Sequence, residues 1–365
     1  MRVVDCAGTS RTRGRAHGET LRDLIADAFA RWAEATLSAQ PPGAPGGGID
    51  AYCERFLGET ALLQSCARET PDLHDEMAGI AEGANQPLHR LAAYNMMDEQ
   101  WWFDARPATP PPGCSLIAMP VEGGHLLAQN MDLPGQMDGS QVALRLSGPD
   151  IPDTIVLSAA GLIGLTGANA AGVAVAVNTL LMLGHNPGGL PVAFVVRHAL
   201  AARDGDEARV RLADTRHASG QHYAIATRDG VAAVECSAGG CASVTLAGPG
   251  RLLHTNHPLA SEDIDGEALS RLDEGGFTGN SRRRMDWLQR KEQALTDAEE
   301  VRALLDEPES PICLRANRNG GSSTFASVLY EMTDRPHVSM RSGFAGSSLW
   351  QSIGFKSSTE EMASA

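Results

Sequence analysis

The sequence predicts an α+β protein: antiparallel sheets with helices packed on their outer faces. Three observations carry that expectation. Residues 17–103 keep the three- and four-residue apolar spacing of helices. The segment Pro107–Gly113, PATPPPG, has four prolines in seven residues, which neither a helix interior nor a central strand tolerates. Beyond it, short β-rich stretches follow one another in runs instead of alternating singly with helices, which argues against a doubly wound parallel sheet.

Each element follows from its own pattern. His17–Gln40 places Leu21, Leu24, Ile25, Ala28 and Phe29 on one helical face, and Pro41-Pro42 ends it. Gly46-Gly47-Gly48 makes a loop. Ile49–Thr70 is a second helix. Pro71–Gly83 is a third, with proline in the first turn where its missing N–H is harmless. Leu88–Phe103 is a fourth, so 17–103 forms a helical layer. After the proline linker come strands at Cys114–Met119, His125–Asn130, Gln141–Ser147, Thr154–Ala160, Leu162–Thr166 and Gly172–Asn178. Helices follow at Pro191–Ala202 and Asp206–Ala213. Strands return at His222–Arg228, Val231–Cys236, Ala242–Leu246 and Arg251–Thr255. Helices at Glu262–Asp273, Ser281–Ala294 and Asp297–Asp306 precede closing strands at Ser323–Met332 and Pro336–Met340.

Length and charge narrow the function. The chain has 365 residues, 42% of them hydrophobic, enough for a large core that needs neither disulfide nor metal. A net charge of −15 disfavours nucleic acid and anionic membrane, both of which need a positive face. The run Arg282-Arg283-Arg284 reads as a solvated helix face or a carboxylate clamp. Thr154–Gly184 has no charged residue and is long enough to span a bilayer, but its glycines divide it into short β-rich runs, so buried sheet is expected. Seven cysteines in a chain of this size give no disulfide framework, and Cys236 and Cys241 read as small strand residues. The first fifteen residues have no apolar core, so no signal peptide is expected and the reducing cytoplasm is the default location.

Phosphate-loop, H-E-x-x-H and G-x-S-x-G motifs are absent, so no cofactor and no metal is expected. The chemistry centres on Gly113-Cys114-Ser115, a thiol where the proline segment meets the first strand. A mid-chain cysteine needs a separate base. A cut between Gly113 and Cys114 would give Cys114 its own base, because a free α-amine has a pKa of about 8. Glycine leaves that peptide open to strain and to attack by the adjacent sulfur. The competing reading is a buried strand-start cysteine.

Several segments, in order, carry a family resemblance: Arg13-Gly-Arg-Ala-His-Gly-Glu19, Pro71-Asp-Leu-His-Asp-Glu-Met-Ala-Gly-Ile-Ala-Glu-Gly83, Gly113-Cys114-Ser115, Ala128-Gln-Asn-Met-Asp132, Gly167–Asn178, Leu190–Arg197, His254-Thr-Asn-His257 and Ser323–Val328. In these the sequence resembles the acyl-CoA:6-aminopenicillanate acyltransferase family of cysteine N-terminal nucleophile hydrolases, the relatives of penicillin V acylase and bile-salt hydrolase.

The resemblance implies a four-layer αββα sandwich. It also implies a proenzyme that cuts itself at Gly113-Cys114 into a 1–113 α chain and a 114–365 β chain, the two associating as one domain. Cys114 is then the nucleophile that forms an acyl-enzyme, and its α-amine the base. Asp132 orients that amine. Asn256 donates to the oxyanion, and Asn178 is a second donor. One hydroxyl of Ser322, Ser323 and Thr324 supports the amine, with Ser323 the choice. His254 and His257 lack a third ligand and are expected to support or to lie at the surface. The arginine that bile-salt hydrolases carry between nucleophile and aspartate is missing from 114–132. The expected substrate is a small N-acyl amide or acyl thioester, with water or an amine as acceptor; the alternative is an uncut, non-catalytic binding or scaffold relative. Residues around Trp101-Trp102-Phe103 are expected near the substrate. A homo-oligomer is left open.

Overall fold

The computed structural model describes residues 1–40, 43–104, 113–315 and 321–355, so the expected proline linker is described only at Gly113. The chain opens with a strand that helical spacing did not announce, β1 (Arg2–Ala7). Seven helices follow: α1 (Ser10–Thr20), α2 (Arg22–Ser38), α3 (Gly48–Glu59), α4 (Leu62–Glu69), α5 (Pro71–Ala84), α6 (Leu88–Asn95) and α7 (Gln100–Phe103). The expected helix 49–70 is two, broken at Thr60-Ala61, where Thr60 is extended.

The β-rich part begins with β2 (Ser115–Val121), β3 (Gly124–Pro134), β4 (Gln141–Gly148), β5 (Ile151–Ala159), β6 (Thr166–Asn169) and β7 (Ala174–Thr179). The expected strand 162–166 is a turn, and the strand starts where it was to end. Then come α8 (Val192–Leu200), α9 (Gly205–Asp214), β8 (Gln221–Ala226), β9 (Val231–Ser237), β10 (Gly240–Ser243) and β11 (Leu252–His254). The chain closes with α10 (Gly266–Glu274), α11 (Phe277–Glu292), α12 (Ala298–Leu305), β12 (Ser322–Met332), β13 (His337–Ser342) and β14 (Gln351–Ile353).

Two sheets result, ordered β1-β4-β5-β6-β7-β8-β9-β10 and β11-β2-β3-β12-β13-β14. Among the described strands, every pairing is antiparallel except β1 with β4, which is parallel. The sheets face each other. Gln129 on β3 donates to the Val177 carbonyl on β7 at 2.6 Å, and Tyr330 on β12 to Thr166 on β6 at 3.3 Å. The His222 ring on β8 stacks on His254 of β11 at 3.5 Å. Helices α8 and α9 cover the outer face of the eight-stranded sheet, and α11 and α12 that of the six-stranded sheet. The order is helix, sheet, sheet, helix, as expected. The uncharged stretch 154–184 supplies β5, β6 and β7, and among the described residues no helix is long and apolar enough to cross a membrane.

Helices α1 and α5 pack at backbone contact, which explains the glycines of both motifs. A Cβ on Gly14 would come within 1.9 Å of the Glu76 carbonyl oxygen, and one on Gly83 within 2.4 Å of that of Arg15. Beside this seam the buried Glu76 carboxylate bonds Arg13 Nε at 3.1 Å and Arg197 Nη1 at 2.7 Å. That triad ties α1, α5 and α8 together.

The cysteine reading needs a correction. Cys236 and Cys241 are direct partners across the β9–β10 hairpin and form a disulfide. Cross-strand pairing fixes their proximity, which spacing along the chain does not disclose. The other five cysteines are free and buried.

Candidate active site

Cys114 immediately precedes β2 at the head of the six-stranded sheet, and β3, antiparallel to it, brings Asp132 alongside. The thiol lies 3.8 Å from the Asp132 carbonyl oxygen. Burial, and then the Asp132 charge, push the thiol up to about 12. Burial pushes the Asp132 carboxyl up to about 7. Its Oδ1 accepts from Thr324 Oγ1 at 2.7 Å, and among the described residues its buried Oδ2 has no partner. An orphaned carboxylate oxygen in this position is a ready acceptor for a nearby ammonium.

Asn256 follows β11 and is 1% exposed. Its backbone N–H donates to Ser281 Oγ at 2.8 Å, and its Nδ2 to the Thr179 carbonyl at 2.9 Å. Its Oδ1 accepts from Arg284 Nη2 at 3.0 Å, which fixes the amide orientation. Among the described residues, the second N–H of Nδ2 has no acceptor.

Arg284 was missed. The expected solvated face holds for its exposed neighbours Arg282 and Arg283, but Arg284 itself is fully buried. Its Nη1 donates to the Cys114 carbonyl at 2.6 Å and to Ser115 Oγ at 3.2 Å. Nε reaches Asn280 at 2.8 Å. The signal was available in the helical period: Ser281, Arg284, Met285 and Leu288 share the buried face of α11. Counting the three arginines as one charge run concealed it. This guanidinium arrives from α11, not from the segment between Cys114 and Asp132.

Gly113 sits against the same pair. A Cβ there would lie 2.0 Å from Arg284 Nη2 and 2.1 Å from Asn256 Oδ1. The Gly113–Cys114 peptide therefore occupies the space in front of the asparagine amide.

Two choices move. The hydroxyl on Asp132 is that of Thr324, not Ser323. Thr324 is the direct cross-strand partner of Asp132, whereas Ser323 pairs with Leu133 one step along, with its side chain on the other face. Asn178 is not brought to the cavity. Val177 and Thr179 line it, and strand alternation turns Asn178 to the opposite face, where its Oδ1 lies 3.2 Å from His222 Nδ1.

The histidines are supporting groups. His254 Nε2 is 3.0 Å from Glu235 Oε1, and His257 Nδ1 is 2.8 Å from Ser281 Oγ. Among the described residues, the potential metal donors that cluster are His217, Cys236 and Cys241. Both sulfurs are already in the disulfide, and His217 Nε2 lies 2.9 Å from the Leu212 carbonyl oxygen.

Cys114, Asp132 and Asn256 open onto one cavity of about 1050 Å³, counted out to solvent at its mouth. Trp32, Met97, Trp101, Leu165, Val196 and Phe277 give it an apolar wall. Of the aromatic cluster only Trp101 lines it; Trp102 stacks on His185 and Phe103 packs on Phe56.

Two facing sheets thus lie between helix layers, and Cys114 stands at the start of a strand of the six-stranded sheet. Residues 121–341, more than half of the chain, match the family described as acyl-coenzyme A:6-aminopenicillanic acid acyl-transferase, and the chain belongs to that family. The match contains Asp132, Asn178, Asn256 and Ser323 and begins after Cys114. The 40 kDa form of acyl-coenzyme A:6-aminopenicillanic-acid-acyltransferase of Emericella nidulans is 27% identical over 275 residues, 74% of this chain and 73% of that protein. A variant of conjugated bile acid hydrolase from Clostridium perfringens has a TM-score of 0.42 at 11% identity, covering 67% of this chain and 97% of its own. Penicillin V acylase from Agrobacterium tumefaciens has a TM-score of 0.36 at 15% identity, covering 66% and 86%. The family assignment rests on the match to residues 121–341.

Proposed function

We propose that the chain is the precursor of a cysteine amidohydrolase or acyltransferase that cuts itself between Gly113 and Cys114. The observation that carries the reading is the seat of that peptide. It lies against Asn256 and Arg284, beside a carboxylate with an unpartnered oxygen, at the head of an apolar cavity.

In the precursor, Cys114 Sγ attacks the Gly113 carbonyl carbon. The carbon–nitrogen bond breaks, the Cys114 nitrogen takes up a proton, and water hydrolyses the resulting thioester. The product chains are 1–113 and 114–365. The new α-ammonium pairs with Asp132 Oδ2, while Thr324 holds Oδ1. Burial beside a negative charge holds the uncut thiol protonated; a cation next to it reverses that balance. The mature α-amine takes the thiol proton and later returns it to the leaving amine. The free N–H of Asn256 donates to the oxyanion, and Arg284 keeps that amide turned the right way. Arg284 is a positioning residue by this account.

The apolar wall suits the acyl part of a small N-acyl amide or an acyl thioester. Hydrolysis is the first reading and transfer to an amine the second, in keeping with the family's name. The test is the denatured intact mass of the purified protein. Two chains matching 1–113 and 114–365, with Cys114→Ala remaining single and inactive, support the proposal. A single wild-type chain overturns the self-cutting and favours the uncut, non-catalytic relative; full activity in Cys114→Ala overturns Cys114 as the nucleophile.

A further inference from the structure

The cavity holds two carboxylates. Asp132 is used by the proposed chemistry; Asp98 is not. Asp98 stands in the turn between α6 and α7 and lines the cavity together with Cys114, Asn256 and Thr179. Its Oδ2 accepts from Thr179 Oγ1 at 3.0 Å and from Gln221 Nε2 at 3.1 Å. Neither bond uses Oδ1, and the residue is part-exposed on the cavity side. Two neutral donors thus fix the orientation of a carboxylate whose other oxygen has no hydrogen-bond partner among the described residues.

Among the described residues, no lysine, arginine or histidine lines the cavity. Beside it, Glu99 has its Oε1 held by Val192 N and Ser219 Oγ, and among the described residues its Oε2 is buried without a partner. Burial and the Asp98 charge push Glu99 up to about 8. Burial works against the Asp98 charge as well. A carboxylate in an apolar wall is tolerated when a counter-charge arrives, and in a substrate cavity the ligand can supply it.

We propose that Asp98 is the subsite for a protonated amine, so that the acyl compound taken by this cavity is an apolar chain carrying a basic nitrogen. The inference rests on the reading of this cavity as the substrate site. In the cut protein the Cys114 ammonium would offset Asp132, which leaves Asp98 as the cavity carboxylate without a counter-charge among the lining residues.

The test separates the subsite from the chemistry by using ligands that cannot react. Octylammonium, 1-octanol and octanoate share a chain and differ at the head group. Their affinities for the purified wild-type protein are measured by calorimetry. Octylammonium is expected to bind at least tenfold more tightly than octanol, with octanoate the weakest. In Asp98→Asn, which is nearly isosteric and can still accept from Thr179 and Gln221, that advantage is expected to fall to about twofold or less while octanol affinity is retained. Equal or weaker binding of octylammonium by wild type, no measurable binding of it, or an advantage that survives in Asp98→Asn overturns the inference. Turnover is read in parallel with the N-octanoyl amides of 1,4-diaminobutane and of butylamine. The expected result is a higher kcat/KM for the diamine amide, lost in Asp98→Asn. Selective octylammonium binding with no turnover of either amide would defeat the proposed catalysis and leave the subsite standing. Equal turnover of both would do the reverse.

Discussion

Replacing Gly113 with alanine puts a methyl carbon 2.0 Å from Arg284 Nη2 and 2.1 Å from Asn256 Oδ1. Non-bonded contacts of this kind need at least about 3 Å, so something must retreat by roughly 1 Å. Arg284 cannot do so cheaply. It is fully buried and anchored at Cys114, Ser115, Asn256 and Asn280. Asn256 is held in turn by Thr179 and Ser281. The peptide to be cut therefore shifts relative to the amide that would stabilise its oxyanion. A misplacement of about 1 Å lowers a rate on the order of 100-fold, and overpacking of this size destabilises by about 1–3 kcal/mol. The assay is a time course of denatured intact mass after expression of Gly113→Ala and wild type, with thermal unfolding as the check on folding. Gly113→Ala is expected to accumulate as a single chain with a Tm a few degrees below that of a Cys114→Ala precursor. The slow fraction that does cut is expected to turn over substrate as wild type does, because the substituted residue ends a chain that no longer bonds to Cys114. Cutting at the wild-type rate would refute the seat assigned to this peptide.

Other outcomes follow from the same geometry. Asn256→Ala removes the proposed oxyanion donor and is expected to lower kcat by about 100- to 1000-fold with a smaller change in KM, read by steady-state kinetics. Cys114→Ala keeps the chain uncut for measurement, and in the uncut chain the Asp132 carboxyl is raised to about 7 by burial. Its contribution to stability is complete below about pH 4 and is lost as pH rises through 7, on the order of 4 kcal/mol in all. Asp132→Asn in that background is expected to flatten the pH dependence of urea unfolding between pH 4 and 7. Glu76→Ala strands Arg197 in the core, and breaking such a buried pair lowers stability by about 3–5 kcal/mol, visible as a large fall in Tm. Thiol titration in denaturant is expected to find five free cysteines in the oxidised chain and all seven after reduction, with Tm falling on reduction. Closing so short a loop stabilises by about 2 kcal/mol on the chain-entropy account.

Much of the architecture is legible in the sequence because it is encoded locally. Apolar spacing marks the helices on either side of Gly113, and glycine breaks the uncharged stretch 154–184 into strands where a membrane helix would need continuity. The candidate centre is partly legible for the same reason: Cys114, Asp132 and Asn256 lie in short motifs, and all three reach one cavity. Even Arg284 has a local signature, since the helical period separates it from Arg282 and Arg283.

What only tertiary structure decided concerns which distant surfaces meet. Strand alternation says that Ser323 and Thr324 point to opposite faces, but only the register of β12 on β3 puts Thr324 on Asp132. The same kind of register sends Asn178 toward His222, and it joins Cys236 to Cys241. Strand β1 is isolated in the sequence and becomes a strand by pairing with β4, well over a hundred residues away. Asp98 is an unremarked turn residue until Thr179 and Gln221 fix it at the wall of a cavity built from both parts of the chain. Periodicity reports the face on which a residue lies. The identity of the opposing face depends on long-range packing and sheet register, which no local window contains.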